Sequence, residues 1–190
     1  MTSRQSKVLA PGEGLRLHSG PGRDLVFKVT GEDTGGAFDY FIVEVAPRGG
    51  PPLHVHHNQE ETIHVLKGRY KIQLGDETFR CAEGGFAYLP SGVPHAFLNL
   101  TDDPGEIVVV YTPGGGHKFY EELGPLTRNG TPDRAAVAAV FEKYDMTLLG
   151  HVMLRSWSNM TIGSLMDSRM AFNLPRLSRS IYSERLRSTE

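Results

Sequence analysis

Residues 54–68 read HVHHNQEETIHVLKG. His54 and His56 are separated by one residue, and residues i and i+2 of a β-strand point to the same face of a sheet. This spacing predicts a strand that directs two imidazoles toward one point. Glu61 follows after a short polar stretch, where a turn would let the next strand return antiparallel and present a carboxylate to the same point.

A third imidazole comes from a distant part of the chain. His95 lies 34 residues beyond Glu61 and is expected to reach the same point from another strand. Three imidazoles and one carboxylate are ligands of intermediate hardness, which suit Fe, Mn, Ni, Co, Cu or Zn rather than Ca or Mg. The spacing predicts that His54, His56, Glu61 and His95 bind one divalent transition metal, whose identity the sequence leaves open.

The other histidines do not share this pattern. His57 and His64 have the opposite strand parity from the four candidate ligands, so their side chains are expected on the other face of the sheet. His18, His117 and His151 have no paired partner in sequence. These five are predicted to be structural or surface histidines.

The chain up to about residue 112 alternates apolar and polar residues in short runs separated by glycine- and proline-containing turns at intervals of about 8–12 residues. This pattern is typical of an antiparallel sandwich or barrel. The predicted strands include residues 15–17, 25–29, 38–45, 62–66, 70–74, 78–82, 86–89, 97–98 and 107–111.

The hydrophobic period changes after Pro113. Residues 117–123 predict a short helix, and Thr131-Pro132-Asp133 predicts a helix start with a hydroxyl cap and proline at the first helical position. We therefore divide the chain into a barrel (1–116), a helical extension packed on the barrel (117–149) and a tail of uncertain structure (150–190). Within that tail, an apolar helix face could be formed by Trp157, Met160, Ile162, Leu165 and Met166.

Composition excludes several functional classes. The chain has 190 residues, with 20 Lys and Arg against 22 Asp and Glu, so the net charge of -2 gives no electrostatic case for nucleic acid or anionic lipid as a partner. The single cysteine, Cys81, cannot form an internal disulfide. Neither a signal peptide nor an apolar run of membrane-spanning length is evident, and the expected location is the cytoplasm.

The spaced residues resemble the two motifs of the cupins. The first cupin motif is matched by His54, His56, Glu61 and Gly68, and the second is matched by Gly84, Pro90, Gly92, His95 and Asn99. One departure is that Arg48 stands where the first motif usually has a glycine. Gly49 and Gly50 follow it, so the turn could shift by one residue.

The resemblance implies an all-β cupin fold: a double-stranded β-helix, or jelly-roll barrel, here followed by short C-terminal helices. Residues whose strand parity matches that of the ligands are expected to line a mostly apolar substrate pocket. The pocket candidates are Ile63, Val65, Phe97, Phe41 or Val43, Phe86 or Tyr88, and Val108 or Val110.

The resemblance also implies a function. Similarity to the quercetin dioxygenase-like cupins predicts a metal-dependent dioxygenase that acts on a small aromatic or enolic substrate, with Glu61 as metal ligand and candidate general base. A cupin that binds a small molecule without turnover is one alternative, and a metal-dependent isomerase or lyase is another, because fold alone does not settle function. Cupins are commonly dimers, so a homodimer is expected.

Overall fold

A computed structural model describes residue 4 and the ranges 6–20, 22–128 and 132–150. Within these ranges, short strands account for most of the regular structure, as the alternating pattern predicts. The strands are β1 (Leu15–His18), β2 (Arg23–Val29), β3 (Asp39–Val45), β4 (His54–His56), β5 (Glu60–Lys67), β6 (Arg69–Leu74), β7 (Glu77–Ala82), β8 (Phe86–Leu89), β9 (His95–Asn99), β10 (Gly105–Thr112) and β11 (Met146–Leu148).

The strands form two antiparallel sheets. One has the order β1-β2-β3-β10-β5-β8, and the other has the order β11-β4-β9-β6-β7. Between β4 and β10 the chain passes repeatedly from one sheet to the other, which is the topology of a jelly roll. The predicted all-β jelly-roll fold is confirmed.

The core lies between the two sheets and follows strand parity. Leu25 and Phe27 of β2, with Phe41 and Val43 of β3, point inward and are buried. The rings of Phe27 and Phe41 stack with their centroids 4.3 Å apart. Burying each such side chain contributes roughly 1.5–3 kcal/mol, so this apolar interior holds the sheets together.

Three helices are described: α1 (Gly31–Thr34), α2 (Gly116–Thr127) and α3 (Arg134–Lys143). The helix predicted at 117–123 corresponds to the longer α2. The predicted start of α3 is wrong: Asp133 is the cap, its side chain accepts a hydrogen bond from the amide of Ala135, and Pro132 precedes the helix. A carboxylate is a strong N-cap, so Asp133 rather than a hydroxyl residue caps the helix.

The helices α2 and α3 pack against the barrel, and β11 extends the sheet next to β4. Tyr120 of α2 packs against the rings of Phe27 and Phe41, and Phe141 of α3 lies with its ring centroid 6.0 Å from that of His54. Strand β11, which the sequence pattern did not predict, pairs with β4. None of the described helices has the length and apolar character needed to cross a membrane. Residues 151–190, including the segment near Trp157, lie outside the described residues.

Asn99 of the second motif anchors a turn rather than facing the interior cavity. Its side-chain amide donates to the carbonyl of Asp103 and its oxygen accepts from the amide of Thr101. Gly50 of the preceding turn lies so close to the neighbouring backbone that an added Cβ would be 1.9 Å from the carbonyl oxygen of Phe97. These residues fix the loops that flank β4 and β9.

Arg48 itself adopts the backbone conformation that favours glycine. Its φ is 56°, in the left-handed region, so the turn does not shift to Gly49. A left-handed conformation costs a residue with a Cβ roughly 1–2 kcal/mol. The ion pair of Arg48 with Asp102 joins two exposed side chains and offsets little of that cost.

This conformation predicts the outcome of a matched pair of substitutions. Arg48→Gly and Arg48→Ala both remove the ion pair with Asp102, but only glycine relieves the strained φ. We expect Arg48→Gly to be more stable than Arg48→Ala by about 1 kcal/mol, measured as the free energy of unfolding in urea. Equal stabilities would contradict this account of the turn.

Candidate metal centre

The four candidate ligands lie together inside the barrel. His54 and His56 are on β4, Glu61 is on β5 and His95 is on β9, and all four side chains are buried. His54 and His95 are direct register partners across the β4–β9 pair. One potential ligand atom from each residue can be chosen so that all four atoms lie within 4.8 Å of one another.

Hydrogen bonds orient two of the imidazoles through their Nδ1 atoms. The Nδ1 of His54 lies 2.9 Å from the carbonyl oxygen of Pro52, and the Nδ1 of His95 lies 2.9 Å from that of Val93. A carbonyl can only accept, so each Nδ1 carries the hydrogen. In a neutral ring this leaves the lone pair on Nε2, which is the atom available to a metal.

Gln59 orients the third imidazole in the same way. Its amide nitrogen donates to the carbonyl of Pro113 over 2.8 Å, which fixes the orientation of the amide. Its oxygen therefore faces the Nδ1 of His56, 3.0 Å away, and accepts a hydrogen bond from it. All three rings thus share one tautomeric arrangement, with Nε2 as the potential ligand atom.

The Nε2 of His56 gives a direct test of whether the residues fit a metal. This atom is buried and has no hydrogen-bond partner among the described residues. A buried polar atom without a partner is costly, and such atoms are rare in folded proteins. Its position near the other three ligands and its free lone pair fit a metal ion with nitrogen and oxygen ligands.

Glu61 and His95 form a charged hydrogen bond at the same point. The Nε2 of His95 lies 3.2 Å from Oε2 of Glu61, and the Nε2 of His56 lies 3.9 Å from that oxygen. Because the Nδ1 of His95 already donates to a carbonyl, a hydrogen bond from Nε2 to the carboxylate requires the imidazolium form. A metal bound at this point would displace that proton.

The histidine pKa values follow from these surroundings. Burial, reinforced by the neighbouring imidazoles, lowers the pKa of His54 well below its usual value. Burial lowers the pKa of His56 to about 4, although the charge of Glu61 opposes that shift. Burial also opposes protonation of His95, but the hydrogen bond and charge of Glu61 outweigh it and raise the pKa of His95.

A small cavity of about 30 Å³ is lined in part by His54 and Glu61, two of the four candidate ligands. This volume holds only a few water molecules or one small chemical group. Its wall is mostly apolar, and its polar side chains include those of Arg23, Tyr111 and Tyr120. The hydroxyl groups of Tyr111 and Tyr120 lie 2.7 Å apart. Tyr111 and Gln59 also line a second cavity of about 220 Å³.

The predicted pocket residues separate into three groups. Phe41, Val43 and Phe97 line the small cavity. Ile63 and Val65 point inward and belong to the packed core, but they do not line the cavity.

The prediction is wrong for the third group, which contains Phe86, Tyr88, Val108 and Val110. Phe86 and Tyr88 of β8 are 64% and 48% exposed, so they lie on the outer face of the sheet. Val108 and Val110 alternate along β10 with Val109 and Tyr111, and it is Val109 and Tyr111 that line the cavity. Successive side chains of a strand face opposite sides of the sheet. The prediction chose the wrong set of alternate residues on β8 and β10, so every residue that it named on these strands lies on the other face.

Sequence reasoning missed Arg23, Tyr111 and Tyr120. Arg23 could have been found from strand parity, because it lies two residues before Leu25 and therefore on the same inward face of β2 as Leu25 and Phe27. Tyr111 is the register partner of Glu61 on β10, which no local pattern reveals. Tyr120 reaches the cavity from α2, whose placement depends on tertiary packing.

The other histidines within the described ranges lie away from the four ligands. His64 is exposed on β5, and the exposed His57 lies with its Nε2 2.8 Å from the hydroxyl of Thr147. His18 pairs with Asp24. His117 is buried, with Nδ1 3.6 Å from the carboxylate of Asp39. His151 lies outside the described residues.

Comparison with known proteins places this geometry in a family. A family model described as a cupin domain matches residues 41–111. The quercetin 2,3-dioxygenase of Bacillus subtilis is 32% identical over 90 residues, which are 47% of this chain and 26% of that protein. An uncharacterised protein of Streptomyces coelicolor is 39% identical over 57 residues, which are 30% of this chain and 53% of that protein. The chain thus spans about a quarter to a half of the length of these relatives.

Solved structures share the fold. KdgF from a Halomonas species superposes with a TM-score of 0.53 at 15% identity, covering 60% of this chain and 99% of that one. A predicted oxalate decarboxylase from Thermotoga maritima superposes with a TM-score of 0.51 at 18% identity, covering 56% of this chain and 99% of that one. At these identities the similarity concerns the fold alone.

The geometry predicts which histidines are needed to bind a metal. We expect His54→Ala and His95→Ala to lose most of the metal that the wild-type protein retains after purification, since each removes one of four ligands. Metal content per chain is measured by elemental analysis. His64→Ala is the matched control because it removes an exposed imidazole from β5. Equal metal content in all three variants would contradict the assignment.

The pKa values predict how pH affects the stability of the chelator-treated, metal-free protein. The pKa of His56 is lower in the folded chain than in the unfolded chain, so the unfolded state binds more protons between about pH 6.5 and 4 and stability falls as pH falls through that range. His54 shifts in the same direction. His95, with a raised pKa, changes its contribution above about pH 6.5, outside this range.

For His56 this linkage amounts to about 2 kcal/mol between about pH 7 and pH 5. We expect urea unfolding at these two pH values to show a loss of stability that is larger in the wild-type protein than in His56→Gln by about this amount, because the contributions of His54 and His95 are common to both proteins. The same loss in both proteins would show that His56 is not buried in its neutral form.

Proposed function

Because the chain belongs to the cupin superfamily, we propose that it is a metal-dependent oxygenase of that superfamily. In this proposal His54, His56, Glu61 and His95 hold one divalent transition metal. The reaction is a dioxygenation of a small enolic or aromatic compound. The observation that carries the proposal is the convergence of four ligand atoms within 4.8 Å beside a cavity.

The number of ligands supports a catalytic rather than a structural metal. Iron, manganese, nickel and cobalt commonly take five or six ligands, so four protein ligands leave one or two positions for other groups. A bound metal would supply Lewis-acid and redox chemistry at those positions. The protein supplies the ligands, their orientation and the apolar wall that limits access of water.

Glu61 is the proposed general base. Its carboxylate lines the cavity, and its Oε2 lies 3.2 Å from the Nε2 of His95. A carboxylate in this place can accept a proton from a substrate hydroxyl if it detaches from the metal or is only weakly bound.

The size of the cavity limits the substrate. About 30 Å³ admits one small group, such as dioxygen or one end of an organic molecule, whereas a whole multi-ring compound requires more room than this. The proposed substrate is therefore small, or it places only one end beside the metal ligands. The dioxygenase relative supports the reaction class through the matched segment, and the substrate of this chain is a separate question.

The homodimer and the cytoplasmic location expected from the sequence remain predictions. Exposed aromatic side chains on two edge strands support the dimer: Phe86 and Tyr88 on β8, and Phe79 on β7. Exposed edge strands with apolar side chains are surfaces that proteins commonly cover by association.

Oxygen consumption tests the proposed reaction. The protein, loaded in turn with Fe²⁺, Mn²⁺, Ni²⁺ and Co²⁺, is mixed with small β-diketones, enols and catechols in an oxygen-electrode cell. We expect uptake of oxygen with at least one metal. In Glu61→Gln we expect the rate to fall by more than about 100-fold, which is the lower end of the range for removal of a general base. Rates are expressed per bound metal so that weaker metal binding is not mistaken for weaker catalysis.

Glu60→Gln is the matched control, because Glu60 is the exposed neighbour of Glu61 on the same strand. Product formation without oxygen would replace the proposal with an isomerase or lyase. Tight ligand binding without turnover would replace it with a binding protein. Absence of bound metal after loading would contradict the oxygenase and both alternatives, because each of them contains a metal.

A further inference from the structure

Arg23 places a positive charge in the cavity beside the metal ligands. It is the first residue of β2 and shares parity with Leu25 and Phe27, which are 1% exposed and point into the barrel. Its side chain is half-buried and lines the same cavity as His54 and Glu61. Arg23 therefore contributes a cationic side chain to the same cavity as two of the candidate metal ligands.

No carboxylate within the described ranges forms an ion pair with Arg23. Among the described residues, the only carboxylate that lines the cavity belongs to Glu61, and its ion-pair partners are His95 and His56. The main cause that lowers the pKa of Arg23 is burial, yet a guanidinium group remains charged in proteins. A half-buried cation without an anionic partner is costly, and a bound anion would remove that cost.

The two tyrosines add a second donor to this cavity. The hydroxyl groups of Tyr111 and Tyr120 share one hydrogen bond, which uses one of their two hydrogens. The second hydrogen is therefore available to an acceptor in the cavity, in addition to the N–H groups of Arg23.

We infer that Arg23 binds a carboxylate group of the substrate, so that the proposed oxygenase acts on a small organic acid. A carboxylate matches the planar N–H pair of a guanidinium group, and such pairs are among the strongest hydrogen bonds in proteins. Its oxygens would also accept the spare hydroxyl hydrogen. The apolar wall formed by Leu25, Phe41 and Phe97 suits the carbon atoms next to the carboxylate. This inference rests on the proposed function for the reaction, but the anion site itself can be tested without it.

The test uses the smallest carboxylate and its neutral counterpart on the metal-free protein. Formate and formamide have nearly the same shape and differ in charge. Each is titrated at constant ionic strength into ¹⁵N-labelled protein, and the Nε–H signal of Arg23 is followed by NMR. We expect formate to shift this signal in a saturable manner and formamide to leave it unchanged at the same concentrations.

Variants separate a specific site from general attraction to positive charge. Arg23→Gln should weaken formate binding at least ten-fold, as expected for loss of a charged hydrogen-bond pair, whereas Arg23→Lys should retain part of the affinity. Arg80→Gln is the control because Arg80 is exposed on β7. For the variants, binding is followed through backbone amide signals of Phe41 and Val43, and unchanged amide spectra elsewhere show that each variant is folded.

The outcomes are distinct from those of the proposed function. Equal binding of formate and formamide, or formate binding that Arg23→Gln leaves intact, would overturn the inference even if the protein consumes oxygen. Formate binding at Arg23 in a protein that takes up no metal would support the anion site and overturn the oxygenase. In an active enzyme, Arg23→Gln should raise the KM for an acid substrate at least ten-fold and leave the KM for its amide unchanged.

Discussion

The centre of this protein depends on the burial of three imidazoles and one carboxylate in an otherwise apolar barrel. Burial of polar groups without partners is costly. Within the protein, only one nitrogen of each ring, Nδ1, has an oxygen partner from the surrounding structure. The Nδ1 atoms of His54, His56 and His95 face fixed oxygen atoms. Their Nε2 atoms point toward one another and toward Glu61. The fold therefore stabilises an arrangement of donors and lone pairs that a cation, a proton or a metal, completes.

The elements around the barrel serve this centre. Strand β4 has only three residues, and the register with β9 contains a single pair, His54 with His95. Strand β11 pairs with the other edge of β4 over its whole length. Phe141 of α3 packs near the ring of His54. The segment after the barrel thus holds the short strand that carries two of the four ligands, and it closes this part of the interior.

The same packing sets the chemistry that the cavity favours. Apolar side chains leave about 30 Å³ beside the ligands, and in a space of low polarity each charge has a large effect. Glu61 is balanced by the neighbouring histidines, whereas Arg23 has no such partner among the described residues. The lining of one small cavity consequently contains both candidate metal ligands and the cationic side chain of Arg23.

The sequence alone determined the strand pattern, the jelly-roll class and the four buried residues at the centre, because strand parity and turn spacing are local properties. It also identified Phe41, Val43 and Phe97 as cavity residues. It did not determine which alternate residues of β8 and β10 face the interior, because this depends on how each strand meets its neighbour. Only the tertiary structure brought Arg23, Tyr111 and Tyr120 to the cavity and paired β11 with β4. Those contacts join residues far apart in the chain, and their formation depends on the packing of whole elements rather than on any local pattern.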